Sequence, residues 1–142
     1  MKLLQILIPI LSVTFMASAV SSRQSPPSNW LEITQSPRGD RFLVDLNSFS
    51  PNTKEKNRQI NFQVQVQYKI PAKDGTTKAI AIFRADCLNE RLIRLQSTRY
   101  NRSNQILDID QKNITLPVEP DSTWEALYNY GCKHLSKENA NQ

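Results

Sequence analysis

The feature that most constrains the fold is an unbroken alternation at residues 60–70. Every even position from Ile60 to Ile70 carries an apolar side chain, and every odd position carries asparagine, glutamine or lysine. Successive side chains of a β-strand point to opposite faces, whereas a helix would scatter these apolar residues around its circumference. The pattern therefore predicts one long strand, with an apolar face on a core and a polar face opposite.

The first residues are typical of an export signal. Met1 and Lys2 precede an apolar run over residues 3–15, and Ala17-Ser18-Ala19 supplies the small residues of a cleavage site. The alternative is a retained membrane anchor, which needs about 20 apolar residues, more than this run provides. We predict a signal peptide at 1–19, a flexible lead-in at 20–29, one domain at 30–135 and a polar tail at 136–142. The protein is then exported to the periplasm, the cell surface or the extracellular space.

The chain has two cysteines, Cys87 and Cys132, both beyond the predicted signal peptide. Export into an oxidising compartment favours one disulfide between them. Chain-entropy reasoning gives such a bond roughly 4 kcal/mol. The competing interpretation is two free or metal-binding thiols. His134 is the single histidine near them, and two ligands do not make a zinc site.

Further strand patterns lie on both sides of the long strand, at 30–33, 41–45, 78–87, 91–100 and 106–110. Short connections between successive strands predict antiparallel pairing in a meander of about five or six strands. In the strand at 78–87, small residues share one face with Phe83 and leave room for a covering element. In the strand at 91–100, Leu92, Arg94, Gln96 and Thr98 are expected on one face.

The C-terminal region changes to a helical pattern. Ser122 is followed three residues later by Glu125, which predicts a reciprocal capping box at a helix start. One face of this helix is apolar, with Trp124, Leu127, Tyr128 and Leu135. A bond between Cys132 and Cys87 would fasten the helix to the sheet. The fold class predicted is therefore α+β: an antiparallel meander with one C-terminal helix packed on it and disulfide-linked.

The sequence offers little for catalysis. It has one histidine, three glycines and no phosphate loop, nucleophile elbow or metalloprotease motif. Asp108 and Asp110 would share a strand face, but nothing else converges with them in sequence. We therefore predict no enzyme activity, no cofactor and no metal site. The net charge of +5 permits an anionic partner, whereas export disfavours nucleic acid.

Two surfaces are candidates for binding. The first is a basic and aromatic set at the end of the sheet, consisting of Arg91, Arg94, Arg99, Tyr100 and Arg102. It could meet an acidic polysaccharide, lipid headgroups or an acidic envelope or extracellular protein, or be an ordinary solvated face. The second is the polar face of the long strand, which carries little charge and suits a partner or a homodimer contact. Asn101 and Asn113 begin glycan-acceptor patterns, whose use the sequence does not decide.

The order of landmarks resembles the surface-adhesin protein E-like family of bacterial envelope proteins. Trp30 opens the domain, Asp45 ends an aromatic-apolar strand, Asp86 and its following cysteine precede a basic strand, and Trp124 lies in a helix that Cys132 closes. The position of the second tryptophan inside the helix departs from the family pattern. The resemblance implies a sheet with a disulfide-held C-terminal helix, export and a non-enzymatic role.

The matched residues Trp30, Asp45, Asp86 and Trp124 are expected to be structural, so the resemblance says little about the partner. The first functional hypothesis is an envelope-associated, adhesin-like interaction module. The second is a periplasmic accessory or inhibitor subunit of another protein. A small hydrolase acting on wall or glycan is the third.

Overall fold

The computed structural model describes residues 27–52 and 58–141, except for the side chains of residues 138 and 139. The predicted signal peptide and most of the lead-in lie outside the described residues. The described chain forms eight strands and one helix: β1 (Trp30–Gln35), β2 (Arg41–Asp45), β3 (Ser50–Pro51), β4 (Gln59–Gln67), β5 (Lys78–Asp86), β6 (Arg91–Tyr100), β7 (Ile106–Asp110), β8 (Ile114–Leu116) and α1 (Thr123–Ala140).

The strands form one antiparallel sheet in the order β1-β2-β4-β5-β6-β7. Strand β3 pairs with the start of β4, and β8 pairs with the start of β6. The predicted meander is confirmed, as is the helix that follows it. The two short strands β3 and β8 were not predicted, because two or three residues are too few to show an alternating pattern.

Strand β4 contains most of the alternating pattern of residues 60–70, and Ile60, Phe62 and Val64 are completely or almost completely buried. The strand ends at Gln67, however, and Ile70 is 71% exposed, so the prediction that the buried pattern reaches position 70 was wrong. The backbone N–H of Tyr68 donates a hydrogen bond to the carbonyl oxygen of Thr77 at 3.0 Å, and the chain then turns. The alternation continues for a few residues beyond the last residue that the sheet pairs.

The helix packs on the apolar face of the sheet, where Leu127 and Leu135 are buried. Trp124 meets Phe42 edge-to-face, with ring centroids 5.7 Å apart. A Cβ at Gly131 would lie 2.7 Å from a ring carbon of Phe62, so the glycine permits a close approach of helix and sheet. The helix continues to Ala140, past position 135, where the sequence predicted the domain to end.

A disulfide joins the helix to the sheet. Cys87 follows β5 directly and is bonded to Cys132 in the middle of α1, with their Cα atoms 5.7 Å apart. The hydroxyl of Tyr128 donates to the carbonyl oxygen of Cys87 at 3.4 Å, one helical turn before the bond. The predicted pairing is confirmed, and it holds the helix at the point where β5 ends.

The helix start differs from the predicted capping box. The Oγ of Ser122 accepts a hydrogen bond from the Glu125 N–H at 3.1 Å, as predicted. The Ser122 N–H donates to the carbonyl oxygen of Glu119 at 3.2 Å, because Asp121 has a φ of 59° and turns the chain back. The reciprocal bond is therefore not made, and the Glu125 carboxylate stays available.

A β-bulge changes which side chains of β6 face the helix. Ile82 of β5 pairs with Gln96 and Phe83 pairs with Arg94, so Leu95 is an extra residue between them. Beyond the bulge, Ser97 and Arg99 lie on the same side as Leu92 and Arg94. The prediction that Gln96 and Thr98 share the face of Leu92 was wrong, because a strict period of two does not survive an inserted residue.

Candidate functional site

The helix side of the sheet has two parts with different chemistry. Helix α1 covers β1, β2, β4, β5 and the start of β6, where Leu92 is buried. Strands β6 and β7 extend beyond the helix and carry charged side chains there. We call this second part the ion-paired patch, and its members are Asp74, Arg94, Arg99, Asp108 and Asp110.

The carboxylates of the ion-paired patch meet its arginines. Arg94 contacts Asp110 at 2.6 Å, and Arg99 contacts both Asp108, at 3.1 Å, and Asp74. Hydrogen bonding to Asp108 is the main reason why the pKa of Arg99 is raised. The Nε of Arg94 is buried without a hydrogen-bond partner in the part of the chain that the structure describes. The arginines are therefore compensated by Asp108 and Asp110, which are partly exposed to solvent and also form ion pairs.

The other predicted binding residues lie elsewhere. Arg91 is on the opposite side of the sheet, where it contacts Asp86 at 3.3 Å. Tyr100 is on that side too, with the Nζ of Lys78 4.9 Å from its ring centroid. Arg102 is exposed in the turn after β6. The structure thus brings Arg94 and Arg99 to one patch and separates them from the other three residues. The five residues do not form one continuous surface, and their role in binding stays a prediction.

Asp86 is a completely buried carboxylate at the end of β5. It accepts hydrogen bonds from the Asn89 backbone and side chain at 3.2 and 2.9 Å, and from Gln59 at 3.1 Å. Burial alone would raise the pKa of Asp86, but these bonds and the one from Arg91 together lower it. The carboxylate organises the turn between β5 and β6, next to Cys87.

The other residues that the sequence marked as structural also lie in packed or hydrogen-bonded positions. Asp45 is buried and accepts from the backbone N–H groups of Asn29 and Asn47, at 2.9 and 3.0 Å. Trp30 is its neighbour across the β1–β2 pair. Trp124 lies on the helix side, against Phe42 and Phe83. Asp45 and Trp124 make hydrogen bonds or ring contacts within the domain, and the structural role of these residues stays a prediction.

The side of the sheet that α1 does not cover has an uncharged centre. We call this side the open face. One row crosses five strands through Leu43, Gln65, Ile80, Thr98 and Ile109, each the cross-strand neighbour of the next. A second row contains Gln63, Ile82 and Gln96. Ile109 is 52% exposed. These two rows contain apolar, amide and hydroxyl side chains, of which Leu43 and Thr98 are buried. The first row reaches a charged residue at β1, where Glu32 is the neighbour of Leu43.

A cleft of about 1090 Å³ opens beside the N-terminus of α1. We call it the acidic cleft. Its floor is apolar and is formed mainly by Phe42, Val66, Tyr68, Pro117 and Trp124. Its rim carries one cation and four carboxylates: Arg38, Asp40, Glu119, Asp121 and Glu125. The sequence analysis missed this site, because the β1–β2 turn, the end of β4 and the helix start meet only in the fold.

The carboxylates of the cleft differ in their partners. Asp40 accepts from the Lys69 N–H at 3.0 Å and from the Ser36 hydroxyl at 3.3 Å. Across residues 27–52 and 58–141, no cation pairs with Glu119, Asp121 or Glu125. The cleft therefore has uncompensated negative charge above an apolar floor.

Tyr68 lies between the cleft and the ion-paired patch. Burial raises the pKa of its hydroxyl, and the charge of Asp40 adds to this effect. The hydroxyl makes no hydrogen bond to any residue that the structure describes. It is a neutral donor at the edge of the cleft floor.

No group of three or more histidine, cysteine, aspartate or glutamate side chains that could hold a metal ion occurs among the described residues. Among the same residues, no helix combines the length and the apolar character that crossing a bilayer requires.

This geometry defines a small α+β domain in which a C-terminal helix is disulfide-linked to one face of an antiparallel meander. The family model described as surface-adhesin protein E matches residues 30–133, and the chain belongs to this family. The chain is thus an adhesin-like envelope protein. The match spans the domain from the first strand into the helix and includes both cysteines.

Solved structures of Haemophilus influenzae protein E have a similar fold. One is 15% identical with a TM-score of 0.57, over 80% of this chain and 94% of that chain. A second crystal form is 16% identical with a TM-score of 0.55, over 82% and 99%. Protein E from a non-typeable strain is 13% identical with a TM-score of 0.53, over 83% and 84%. At these identities the likeness concerns the fold. Among curated protein sequences, none matches the chain.

Proposed function

We propose that the protein is an exported, non-enzymatic binding module of the cell envelope that recognises another protein through the open face. The observation that carries this proposal is the uncharged row from Leu43 to Ile109 across five strands. The centre of a protein–protein interface is depleted in charge, because each buried charge must be desolvated. Membership in an adhesin family supports a binding role, and the predicted signal peptide at 1–19 supports export.

An anionic glycan is the second ligand class, and the structure gives it less support. A glycan-binding strand needs arginines with free donors for carboxylate or sulfate groups. Arg94 and Arg99 already contact aspartates on the sheet. Arg91 and Arg102, on different parts of the surface, are the more exposed members of the predicted basic set.

The test is affinity capture from envelope extract with the mature protein and two variants. The first variant replaces Gln65 and Ile109 with lysine, which places one charge on the central strand β4 and one on the edge strand β7 of the open face. The matched control is Leu88→Lys, a similarly exposed apolar position outside that face, at 59% exposure. We expect the open-face variant to lose a partner that the wild type and the control retain. Retention of every partner by the open-face variant would refute the proposal.

Arginine reversal separates the two ligand classes. Arg94→Glu with Arg99→Glu, which both lie on the helix side of the sheet, should leave a partner of the open face bound, provided that the variant remains folded. Loss of an acidic polysaccharide from the same variant would favour the predicted basic strand instead. Retention of all ligands would remove the basic strand from consideration.

A periplasmic accessory or inhibitor subunit is the alternative role. Cell fractionation distinguishes it from an adhesin, since surface accessibility to added protease fits adhesion and a soluble periplasmic location fits an accessory subunit. The open face is also suitable for a second copy of the chain. Sedimentation of the wild type and the Gln65, Ile109 variant tests whether a homodimer forms there.

A further inference from the structure

The acidic cleft is separate from the open face and lies on the helix side of the sheet. It is formed by the turn after β1, the end of β4 and the segment that leads into α1. We propose that this cleft is a second binding site, which takes an extended segment of a partner protein carrying lysine or arginine next to apolar side chains. The proposal goes beyond the function assigned to the open face and does not depend on it.

The shape of the cleft favours a peptide segment. Its volume of about 1090 Å³ is at or above the upper end of the roughly 300–1,000 Å³ that small-molecule pockets occupy. The floor includes Phe42, Tyr68 and Trp124, and aromatic rings offer large apolar contact areas that lose little conformational entropy on binding. An apolar side chain of the segment would pack on this floor.

The charges of the cleft require a cationic partner. Glu119, Asp121 and Glu125 have no ion pair among the described residues, and Arg38 is the single cation in the lining. Closing the cleft with a neutral or acidic segment would desolvate these carboxylates without compensation. A lysine or arginine packs its aliphatic stem on the apolar floor and keeps its charged head at the rim.

The ion-paired patch shows what happens where carboxylates have internal partners. Asp108 and Asp110 are held by Arg99 and Arg94 within the same sheet face. Arginines thus pair with some carboxylates of the protein, whereas none pairs with the three at the cleft among the described residues. The incomplete capping box contributes, because the Glu125 carboxylate does not bond back to the Ser122 N–H.

The experiment uses calorimetry with the mature protein and three blocked pentapeptides as probes. In the first probe lysine alternates with leucine and phenylalanine, and in the other two glutamine or glutamate replaces every lysine. We expect binding of the lysine peptide and no binding of the glutamate peptide. The dissociation constant should rise as ionic strength increases from about 0.01 M to about 0.15 M, because the screening length shortens from about 30 Å to about 8 Å.

Two variants locate the site. Glu119→Gln combined with Asp121→Asn and Glu125→Gln should weaken the lysine peptide about tenfold, on the scale of three exposed charge contacts. Asparagine is suitable at position 121 because it tolerates the positive φ there. The matched control is Glu90→Gln, an exposed carboxylate outside the cleft, which should bind the peptide like the wild type.

Melting temperatures verify that each variant is folded, and Glu119→Gln alone provides a milder test, with an expected weakening of about twofold. Perturbation of the Trp124 indole resonance by the lysine peptide would support the location. Equal binding of the lysine and glutamine peptides, unchanged binding by the triple variant, or no binding of the lysine peptide would each overturn the proposal.

Discussion

The two parts of the helix side of the sheet differ in how their side chains are satisfied. Under α1, apolar residues such as Phe62, Leu127 and Leu135 are buried and a disulfide holds the helix in place. Beyond α1, the ion-paired patch occupies the same face with two arginines and three aspartates. One sheet surface thus continues from a covered core into a solvated set of charges.

The two parts of the face are expected to contribute differently to the free energy of unfolding. Burial of a large apolar side chain contributes about 1.5–3 kcal/mol, whereas an exposed ion pair contributes about 0–1 kcal/mol. Arg94 has 25% of its side chain exposed and Asp110 has 33%, so water screens this pair. The covered part should therefore determine the melting temperature, and the ion-paired patch should determine which ligands the face tolerates.

The largest effect is expected from the disulfide. Cys132→Ser should lower the free energy of unfolding by roughly 4 kcal/mol, because the unfolded chain regains the entropy that the bond removes. The melting temperature should fall by roughly ten degrees or more, measured calorimetrically without reductant. A wild type treated with reductant is the control and should behave similarly. An unchanged melting temperature would mean that the bond does not stabilise the covered part.

The close approach at Gly131 should give the next largest effect. Gly131→Ala places a methyl group 2.7 Å from the buried ring of Phe62. The overpacking costs about 1–3 kcal/mol and outweighs the helix preference of alanine, which is worth up to about 1 kcal/mol. The control is Asn129→Ala on the exposed side of α1, where the same preference should stabilise slightly. Denaturant titration of both variants compares them, and a stabilised Gly131→Ala would contradict the packing described.

Substitution of Asp86 measures how much a buried charge next to the disulfide contributes to the free energy of unfolding. Asp86→Asn should cost about 1–3 kcal/mol, because donors of Asn89, Gln59 and Arg91 lose a buried, charged acceptor. Since the folded-state pKa is lowered, the carboxylate stabilises the wild type above the unfolded value of about 3.9, and this stability is lost as the pH falls below it. Melting curves from pH 7 downward should therefore converge for wild type and variant in acid. Parallel curves at all pH values would contradict a charge-specific role.

The smallest effect is expected from the ion-paired patch. A double-mutant cycle with Arg94→Gln and Asp110→Asn should give a coupling of about 0.2–1 kcal/mol. Raising the salt concentration should reduce it further, since the screening length becomes shorter. A coupling as large as the effect of Gly131→Ala would remove the contrast between the two parts of the face.

The alternation at 60–66, the apolar stripe of the helix and the two cysteines in a chain with a predicted export signal were sufficient to predict a disulfide-linked helix on an antiparallel meander. The first two signals are local in sequence. Two cysteines allow a single intramolecular disulfide, so no choice between pairings is needed. The strand end at Gln67, the bulge at Leu95 and the half-formed capping box at Ser122 could not be predicted, because each depends on a pairing partner or turn elsewhere in the chain.

The class of fold could be predicted from the sequence, since the spacing of apolar residues along the chain decides which side chains can be buried together. The acidic cleft and the pairing of charges were apparent only in the tertiary structure. Arg94 pairs with Asp110 because β7 returns beside β6, and Glu119 has no ion pair among the described residues. Whether a charge is compensated depends on distances of a few ångströms between residues far apart in sequence, and only folding establishes those distances.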